Sequence, residues 1–585
     1  MPCGTTTYQL TSSGSSLYTG LTAVISTKQW ETQPVHLAKG LFQGDPLSAA
    51  IFDVVINLYL DTIMTECSHT GYRFSSSPHQ MPILQYADDT CLTASSKANC
   101  QAMLNTTQKW LEWSLLTAKV PKCAAISIHG HTGKCTNPHL SISNERIPFL
   151  GSKSTTFLGL PVNATHSTDS IKEQLQLKLE RYLNLTDQSP LSRQQKLRIY
   201  KEAICPRLSW LLSLVDLPLT WIERTLEPLA IKMLKKWCGL SRPADPSRIF
   251  FTKTNGGLGI PSLTICYKKA QISRYSQLMT SKDSMCRFLA ERQHMQDTGT
   301  QKKLKPTEEV IATMLEHPGA TGSKLAVEAR KRIVSRDEAN LTTHASSLMK
   351  ERDLFAIKEK DDELWRSTVT KLPENLFAFA MAASVDSLPH NSNLCRWRKL
   401  SSDLCTICFK VGSHCKQTLA HVLSHCQAAL QSGRYNTCHD CVLEILFKHL
   451  QQYLPPGTTV VADLPGYPYT LPTDVPTDLR PDLVVHSPGQ LHLLELTVCW
   501  ESNFSAAKLR KESKYLHLVE QARGRGVQAS LSTIQIGCRG FVDSKSLQHF
   551  FALTQTSPKA QKTLTSEIIS TVIRESHTIW ALRNQ

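Results

Sequence analysis

Three groups of acids, thiols and imidazoles in this chain have the residue types and spacing of metal ligands. The first is Gln85-Tyr86-Ala87-Asp88-Asp89-Thr90, two adjacent carboxylates on a tight turn between the apolar runs Met81-Pro82-Ile83-Leu84 and Thr90-Cys91-Leu92-Thr93-Ala94. This pattern predicts strand, turn and strand, with Asp88 and Asp89 exposed at a hairpin tip. Like charges so close repel unless a cation lies between them. Magnesium takes few protein carboxylates and fills its shell with substrate phosphates, so Mg2+ or Mn2+ here suits two-metal phosphoryl transfer; the dipeptide taken alone also fits a solvated turn. The second group is Cys405, Cys408, His421 and Cys426, spaced C-x2-C-x12-H-x4-C. Two close pairs of soft and imidazole donors can close a tetrahedron around Zn2+, and four protein ligands leave no open position, so the site would be structural. His414, Cys415 and His425 lie close enough in sequence to leave the fourth ligand open. The third group is Asp482, in Arg480-Pro481-Asp482-Leu483, and Glu495, in Leu493-Leu494-Glu495-Leu496. Two strands joined by a Ser-Pro-Gly turn can bring these carboxylates to one end of a sheet, where a divalent ion would activate water against a phosphodiester.

The elements that must position these groups follow from the surrounding pattern. At 585 residues the chain is long enough for roughly three to five domains. A formal charge of +16 favours a polyanionic partner. No unbroken apolar run approaches the roughly 18 residues of a membrane span, which favours nucleic acid over a membrane surface. The first residues show no signal sequence, and the 19 cysteines read as thiols and zinc ligands rather than a disulfide framework. Short strands are expected at Leu21-Thr22-Ala23-Val24-Ile25 and near Val35-His36-Leu37. Asp45 then caps a helix opening at Pro46, with Leu47, Ile51, Val54, Val55 and Leu58 on a core face. Gln43-Gly44 sits on the loop entering that helix, where glycine allows backbone to approach a base pair or sugar. A helix over Cys100 to Leu116, a strand at Ala124-Ala125-Ile126-Ser127-Ile128 and a hairpin through Phe157-Leu158-Gly159 follow. Residues 170 to 290 read as helices broken by Gly256-Gly257-Leu258-Gly259, and 291 to 385 as further helices with charged linkers such as Lys302-Lys303-Leu304-Lys305.

Taken in order, Gln43-Gly44-Asp45-Pro46-Leu47-Ser48, Tyr86-Ala87-Asp88-Asp89, Pro121-Lys122-Cys123 and Phe157-Leu158-Gly159 resemble the later palm motifs of a non-long-terminal-repeat retrotransposon reverse transcriptase. The resemblance implies a right-hand polymerase in which Gln43 and Gly44 touch template or incoming nucleotide, Asp88 and Asp89 bind magnesium, Lys122 lies near the triphosphate, and Phe157, Leu158 and Gly159 form the primer grip. It also implies a third metal-binding aspartate upstream, yet residues 1 to 44 hold no Asp and only one acid, Glu31. A two-metal site short of one ligand is expected to polymerise poorly or not at all. The chain therefore reads as the C-terminal part of a longer element protein, either truncated or decayed.

The resemblance extends to the C-terminal half. Asn393-Leu394-Cys395-Arg396-Trp397 and Gly433-Arg434-Tyr435 look like the flanks of the Cys/His knuckle in site-specific elements, and His439-Asp440 matches a further motif there, although Cys438 replaces its basic residue. Nucleases of the PD-(D/E)xK type place a lysine two residues past the second acid; here that residue is Thr497. The restriction-like endonuclease of site-specific elements implies a displaced lysine, for which Lys514 ranks before Lys511, with Lys508 nearby and Glu501 as an additional ligand. The fold class is multidomain α+β: a partial palm over 1–165, a helical thumb over 166–290, a helical linker over 291–400, a zinc knuckle over 401–430 and a small α/β nuclease over 431–585. The implied function is RNA-directed DNA polymerase plus DNA endonuclease in target-primed reverse transcription. The implied partners are element RNA, genomic target DNA and dNTPs, and the implied location is the nucleus. The competing reading is a non-catalytic nucleic-acid-binding remnant.

Overall fold

The computed structural model describes residues 22–24, 31–36, 46–74, 80–151, 153–164, 168–297, 306–352, 361–471 and 479–585. These form two compact units, Met1–Lys172 with Lys282–Arg292, and Glu173–Ser281 with Gln293–Gln585. Gln43, Gly44 and the basic run Lys302-Lys303-Leu304-Lys305 lie outside the described residues.

The first unit is built around helix Pro46–Glu66. The expected core face is displaced. Leu47 and Leu58 are exposed, and the buried stripe is Ile56, Tyr59, Ile63 and Cys67, flanked by Phe52 and Val55. The reason is the neighbour: helix Lys97–Ser114 brings Met103 and Trp110 against that stripe, with the Tyr59 and Trp110 rings 5.0 Å apart. Leu47–Glu66 is also long and apolar enough to cross a bilayer by length and composition, contrary to the sequence expectation. Asp53 and Asp61 interrupt the run, which is why no unbroken apolar stretch is visible in the sequence. Ser96 caps the Lys97–Ser114 helix by accepting from the Asn99 N–H, and Leu115 ends it in the left-handed region. The expected strand at Ala124–Ile128 reduces to isolated bridges, Ala125 to Phe149 and Ile128 to Cys135. The later hairpin, Ser154–Phe157 with Leu160–Asn163, forms as expected and turns through Leu158 and Gly159, both at positive φ.

In the second unit the residues read as thumb, linker, knuckle and nuclease pack together. Gly257 is required by a close approach: a Cβ there would lie 2.2 Å from the Phe251 carbonyl oxygen. The Gly256–Ile260 segment folds back on Arg248–Thr252, with the Leu258, Gly259 and Ile260 N–H groups donating to the carbonyls of Arg248, Phe251 and Ile249. Helix Gly322–Arg352 lies along helix Leu263–Met279, joined by Lys268 and Asp337 at 3.0 Å.

The C-terminal sheet has four strands in the order Thr459–Ala462, Leu483–Ser487, Gln490–Cys499, Gln528–Gly537. The first three are antiparallel neighbours, while the last pair is parallel, which obliges a crossover, supplied by helix Phe504–Gly524. Leu491, Leu493, Leu494 and Leu496 are all buried, so the central strand is covered on both faces. Leu491 and Leu493 pack against Tyr515, Leu518 and Ala522 of the crossover helix.

Candidate functional site

The period of two along Gln490–Cys499 sets the geometry of the C-terminal site. Glu495 shares the face of Leu491 and Leu493, and therefore lies under the crossover helix. That helix buries Ala507, Tyr515, Leu518 and Ala522, a stripe that passes through Lys511, one turn from both Ala507 and Tyr515. Lys511 Nζ accordingly stands 2.6 Å from Glu495 Oε2 and 3.0 Å from Asp482 Oδ2. Lys514 does not reach the carboxylates; its Nζ donates to the Tyr515 hydroxyl at 2.8 Å, which in turn donates to the Arg480 carbonyl at 3.0 Å. The ranking of the two lysines is thus reversed, because helical phase puts Lys511 on the buried stripe and Lys514 beside it.

Asp482 immediately precedes its strand. The strand ends are cross-tied: the Asp482 N–H donates to Glu495 Oε1 at 3.0 Å, and the Leu496 N–H donates to Asp482 Oδ2 at 2.8 Å. Helix Arg434–Tyr453 adds His439, whose Nε2 is 3.6 Å from Asp482 Oδ2 and whose Nδ1 is 3.1 Å from Asp440 Oδ1. Glu501 does not join the site; its carboxylate is buried against Arg539 Nε at 2.9 Å.

The two acids have opposite electrostatics. Burial, reinforced by the charge of Asp482, pushes the Glu495 carboxyl up to about 7. Burial also acts against charge on Asp482, but His439 and Lys511 outweigh it and hold the carboxyl near 2. Burial disfavours the Lys511 ammonium as well, and Asp482 and Glu495 more than offset this, so its pKa is raised. The result is two converging carboxylates with a cation between them. All-oxygen donors of this kind fit a hard divalent ion, and the position of the ammonium marks where positive charge is stabilised.

At the Cys/His group, Cys405, Cys408, His421 and Cys426 are all buried, and their ligand atoms all lie within 4.8 Å of one another. Cys408 Sγ is 3.4 Å from both His421 Nε2 and Cys426 Sγ. Ligands held about 2.0–2.3 Å from one tetrahedral ion are roughly 3.3–3.8 Å apart, whereas a disulfide needs about 2.05 Å. The donor set therefore fits a metal ion. The alternative fourth ligands are turned elsewhere: Cys415 Sγ contacts Ser413, His425 Nε2 contacts Asn503 at 2.8 Å, and His414 packs on the Phe409 ring. Burial first, and the Cys426 thiol second, push the Cys408 thiol up to about 12, a shift a bound cation would reverse.

In the first unit, strands Ile83–Tyr86 and Asp89–Leu92 form the expected hairpin, with Tyr86 opposite Asp89. Ala87 takes positive φ, and Asp88 and Asp89 are exposed at the tip. No ion pair engages either acid among the described residues. Lys122 is exposed at the end of the short turn Val120–Lys122, and Phe157 and Leu158 are half-buried at their own hairpin.

Residues 6–162, which include the acidic hairpin, match the family model of reverse transcriptases (RNA-dependent DNA polymerases). The chain is also similar to Pol polyproteins of R2 retrotransposable elements. It is 24% identical over 439 residues to the retrovirus-related Pol polyprotein from type-2 retrotransposable element R2DM of Drosophila melanogaster, covering 72% of this chain and 37% of that protein. Two Pol polyproteins from type-1 retrotransposable element R2 of Popillia japonica are also similar. One is 25% identical over 43% of this chain and 35% of its own length, and the other 29% identical over 30% and 29%. The chain spans little more than a third of these curated relatives, or less.

Proposed function

We propose that this chain is part of a retrotransposon polyprotein, pairing a segment of an RNA-directed DNA polymerase with a metal-dependent DNA endonuclease. Its role would be target-primed reverse transcription, acting on element RNA and genomic target DNA in the nucleus. The observation that carries the nuclease half is the convergence of Asp482, Glu495 and Lys511 at one end of a four-stranded sheet. The order helix, three antiparallel strands, crossover helix and parallel strand supports a PD-(D/E)xK-like domain, with the lysine moved from the strand to the helix. Bound Mg2+ would lower the pKa of a water and neutralise charge building on the phosphate. Asp482 and Glu495 would hold that ion, while Lys511 sets its ammonium against the phosphate oxygens. Attack on phosphorus breaks one P–O bond of one strand, and a 3′ hydroxyl so released would prime copying. The Cys405, Cys408, His421, Cys426 group would hold a structural Zn2+.

Gln43, Gly44, Lys122, Phe157, Leu158 and Gly159 would bind template, primer and dNTP, and Asp88 and Asp89 would bind Mg2+ or Mn2+. Residues 1 to 44 supply no further aspartate for that site, so this chain alone would copy poorly. The test is Mg2+-dependent nicking of supercoiled DNA by the full chain. The Asp482→Ala variant should lose the activity by at least a hundredfold. Equal nicking by variant and parent would leave the nucleic-acid-binding remnant as the function.

A further inference from the structure

We propose that His439 is a third protein ligand of the divalent ion at the Asp482 and Glu495 site, adding a ring nitrogen that tunes the site toward Mn2+ over Mg2+. The proposal rests on reading that site as a metal-dependent nuclease centre and deepens it.

Three observations carry it. First, His439 is directed at the sheet by its helix: it lies on the stripe of Leu443, Leu446 and Leu450, all buried. Second, its ring is oriented from behind. A carboxylate only accepts, so the 3.1 Å contact of Nδ1 with Asp440 Oδ1 places a ring hydrogen on Nδ1 and turns Nε2 toward the Asp482 carboxylate, where an ion bound to Asp482 would take the place of the hydrogen between them. A carboxylate holding the far nitrogen is the usual support of a metal-bound imidazole. Third, Nε2 stands 3.6 Å from Asp482 Oδ2. That is beyond hydrogen-bond length, and close to the roughly 3.0–3.4 Å that separates two donors each about 2.1 Å from a shared ion. Lys511 Nζ, 3.0 Å from the same Asp482 oxygen, shows that positive charge is held at this end of the sheet. Carboxylates alone suit Mg2+, whereas adding imidazole favours a later divalent metal.

The test is Mn2+ binding rather than cleavage. The full chain is loaded with Zn2+ to fill the Cys/His group and carries Asp88→Asn and Asp89→Asn to silence the hairpin. Electron paramagnetic resonance then counts free Mn2+, and its pulsed form reads nitrogen coupling to the bound ion. The parent should bind Mn2+ with nitrogen coupling, and Mg2+ should displace it poorly. His439→Ala and His439→Gln should each abolish the coupling and weaken Mn2+ binding 10- to 100-fold. Two histidine variants guard against misfolding of one, and unchanged circular dichroism confirms each fold. Coupling that survives in both variants, or unchanged Mn2+ affinity, overturns the ligand role while leaving the nuclease reading intact, provided Asp482→Ala still loses the ion. If Asp482→Ala binds as tightly as the parent, or the parent binds none, the nuclease reading falls as well.

Discussion

At the scale of single residues, the test of the C-terminal site is which lysine it uses. Lys511 contacts both carboxylates and is four residues from both Ala507 and Tyr515, which are buried, whereas Lys514 reaches only the Tyr515 hydroxyl. Lys511→Met should therefore cut the nicking rate by two orders of magnitude or more, about 2.7 kcal/mol of barrier at the lower bound, while Lys514→Met should stay within a few fold. Single-turnover nicking with saturating DNA measures both, and the opposite ranking would reject the assignment. Asp482 and Glu495 were legible as a pair because they flank a hairpin in a recognisable order. The place of Lys511 was legible too, since the stripe Ala507, Lys511, Tyr515, Leu518, Ala522 is written in the helix period, although the resemblance ranks Lys514 first. His439 was marked in the sequence only by the motif resemblance; its place beside Asp482 comes from packing of helix Arg434–Tyr453. The fourth ligand of the Cys/His group was likewise undecidable from spacing, because His421 and His425 differ only in the side to which a single turn directs them.

Elements show the same division between what a local pattern fixes and what a neighbour fixes. The acidic hairpin was readable because alternation and turn chemistry are local. The buried face of Pro46–Glu66 was not: this helix is apolar nearly all round, and only the approach of Trp110 and Met103 chooses Ile56, Tyr59 and Ile63. Glu227 is a polar counterpart. It opens helix Glu227–Trp237 and is buried, with its Oε2 accepting from the Thr264 N–H at 2.8 Å and the Thr264 hydroxyl at 3.1 Å, at the start of helix Leu263–Met279. Burial raises its pKa more than the hydrogen bonds from Thr264 lower it. The folded state therefore keeps this proton to higher pH than the unfolded chain. The stability that follows is present below the ordinary carboxylate range and is lost as pH rises from there through the raised value. Glu227→Gln, which keeps an acceptor for Thr264, should melt a few degrees higher than the parent at pH 7.5 and equally at pH 4. A lower melting temperature at pH 7.5 would mean that the charge is favoured at the helix N-terminus and that burial does not dominate.

At the scale of the molecule, the boundaries drawn at residues 400 and 430 fall inside one compact unit, Glu173–Ser281 with Gln293–Gln585. Arg248 is buried with its guanidinium 5.1 Å from the Trp365 ring and 5.2 Å from the Phe541 ring. Those rings stack at 4.8 Å, and the Trp365 indole N–H donates to the Arg539 carbonyl at 2.9 Å. Arg539 in turn holds Glu501, at the root of the helix that carries Lys511. Trp365 thus joins the segments around Arg248 and Phe541 through a side chain with no solvent exposure. Trp365→Ala should cost about 3–5 kcal/mol, and the loss should be shared: hydrogen exchange should accelerate together in thumb helix Leu263–Met279 and in strand Gln528–Gly537. Independent domains would instead show faster exchange on one side only, and that outcome would reject a single cooperative unit. Such a junction is invisible to motif reading, because its members lie more than a hundred residues apart and each looks locally like an ordinary core aromatic or a surface arginine. If the exchange is shared, mutations around Arg248 should also alter the proposed cleavage, since the helix bearing Lys511 is anchored through the same contacts.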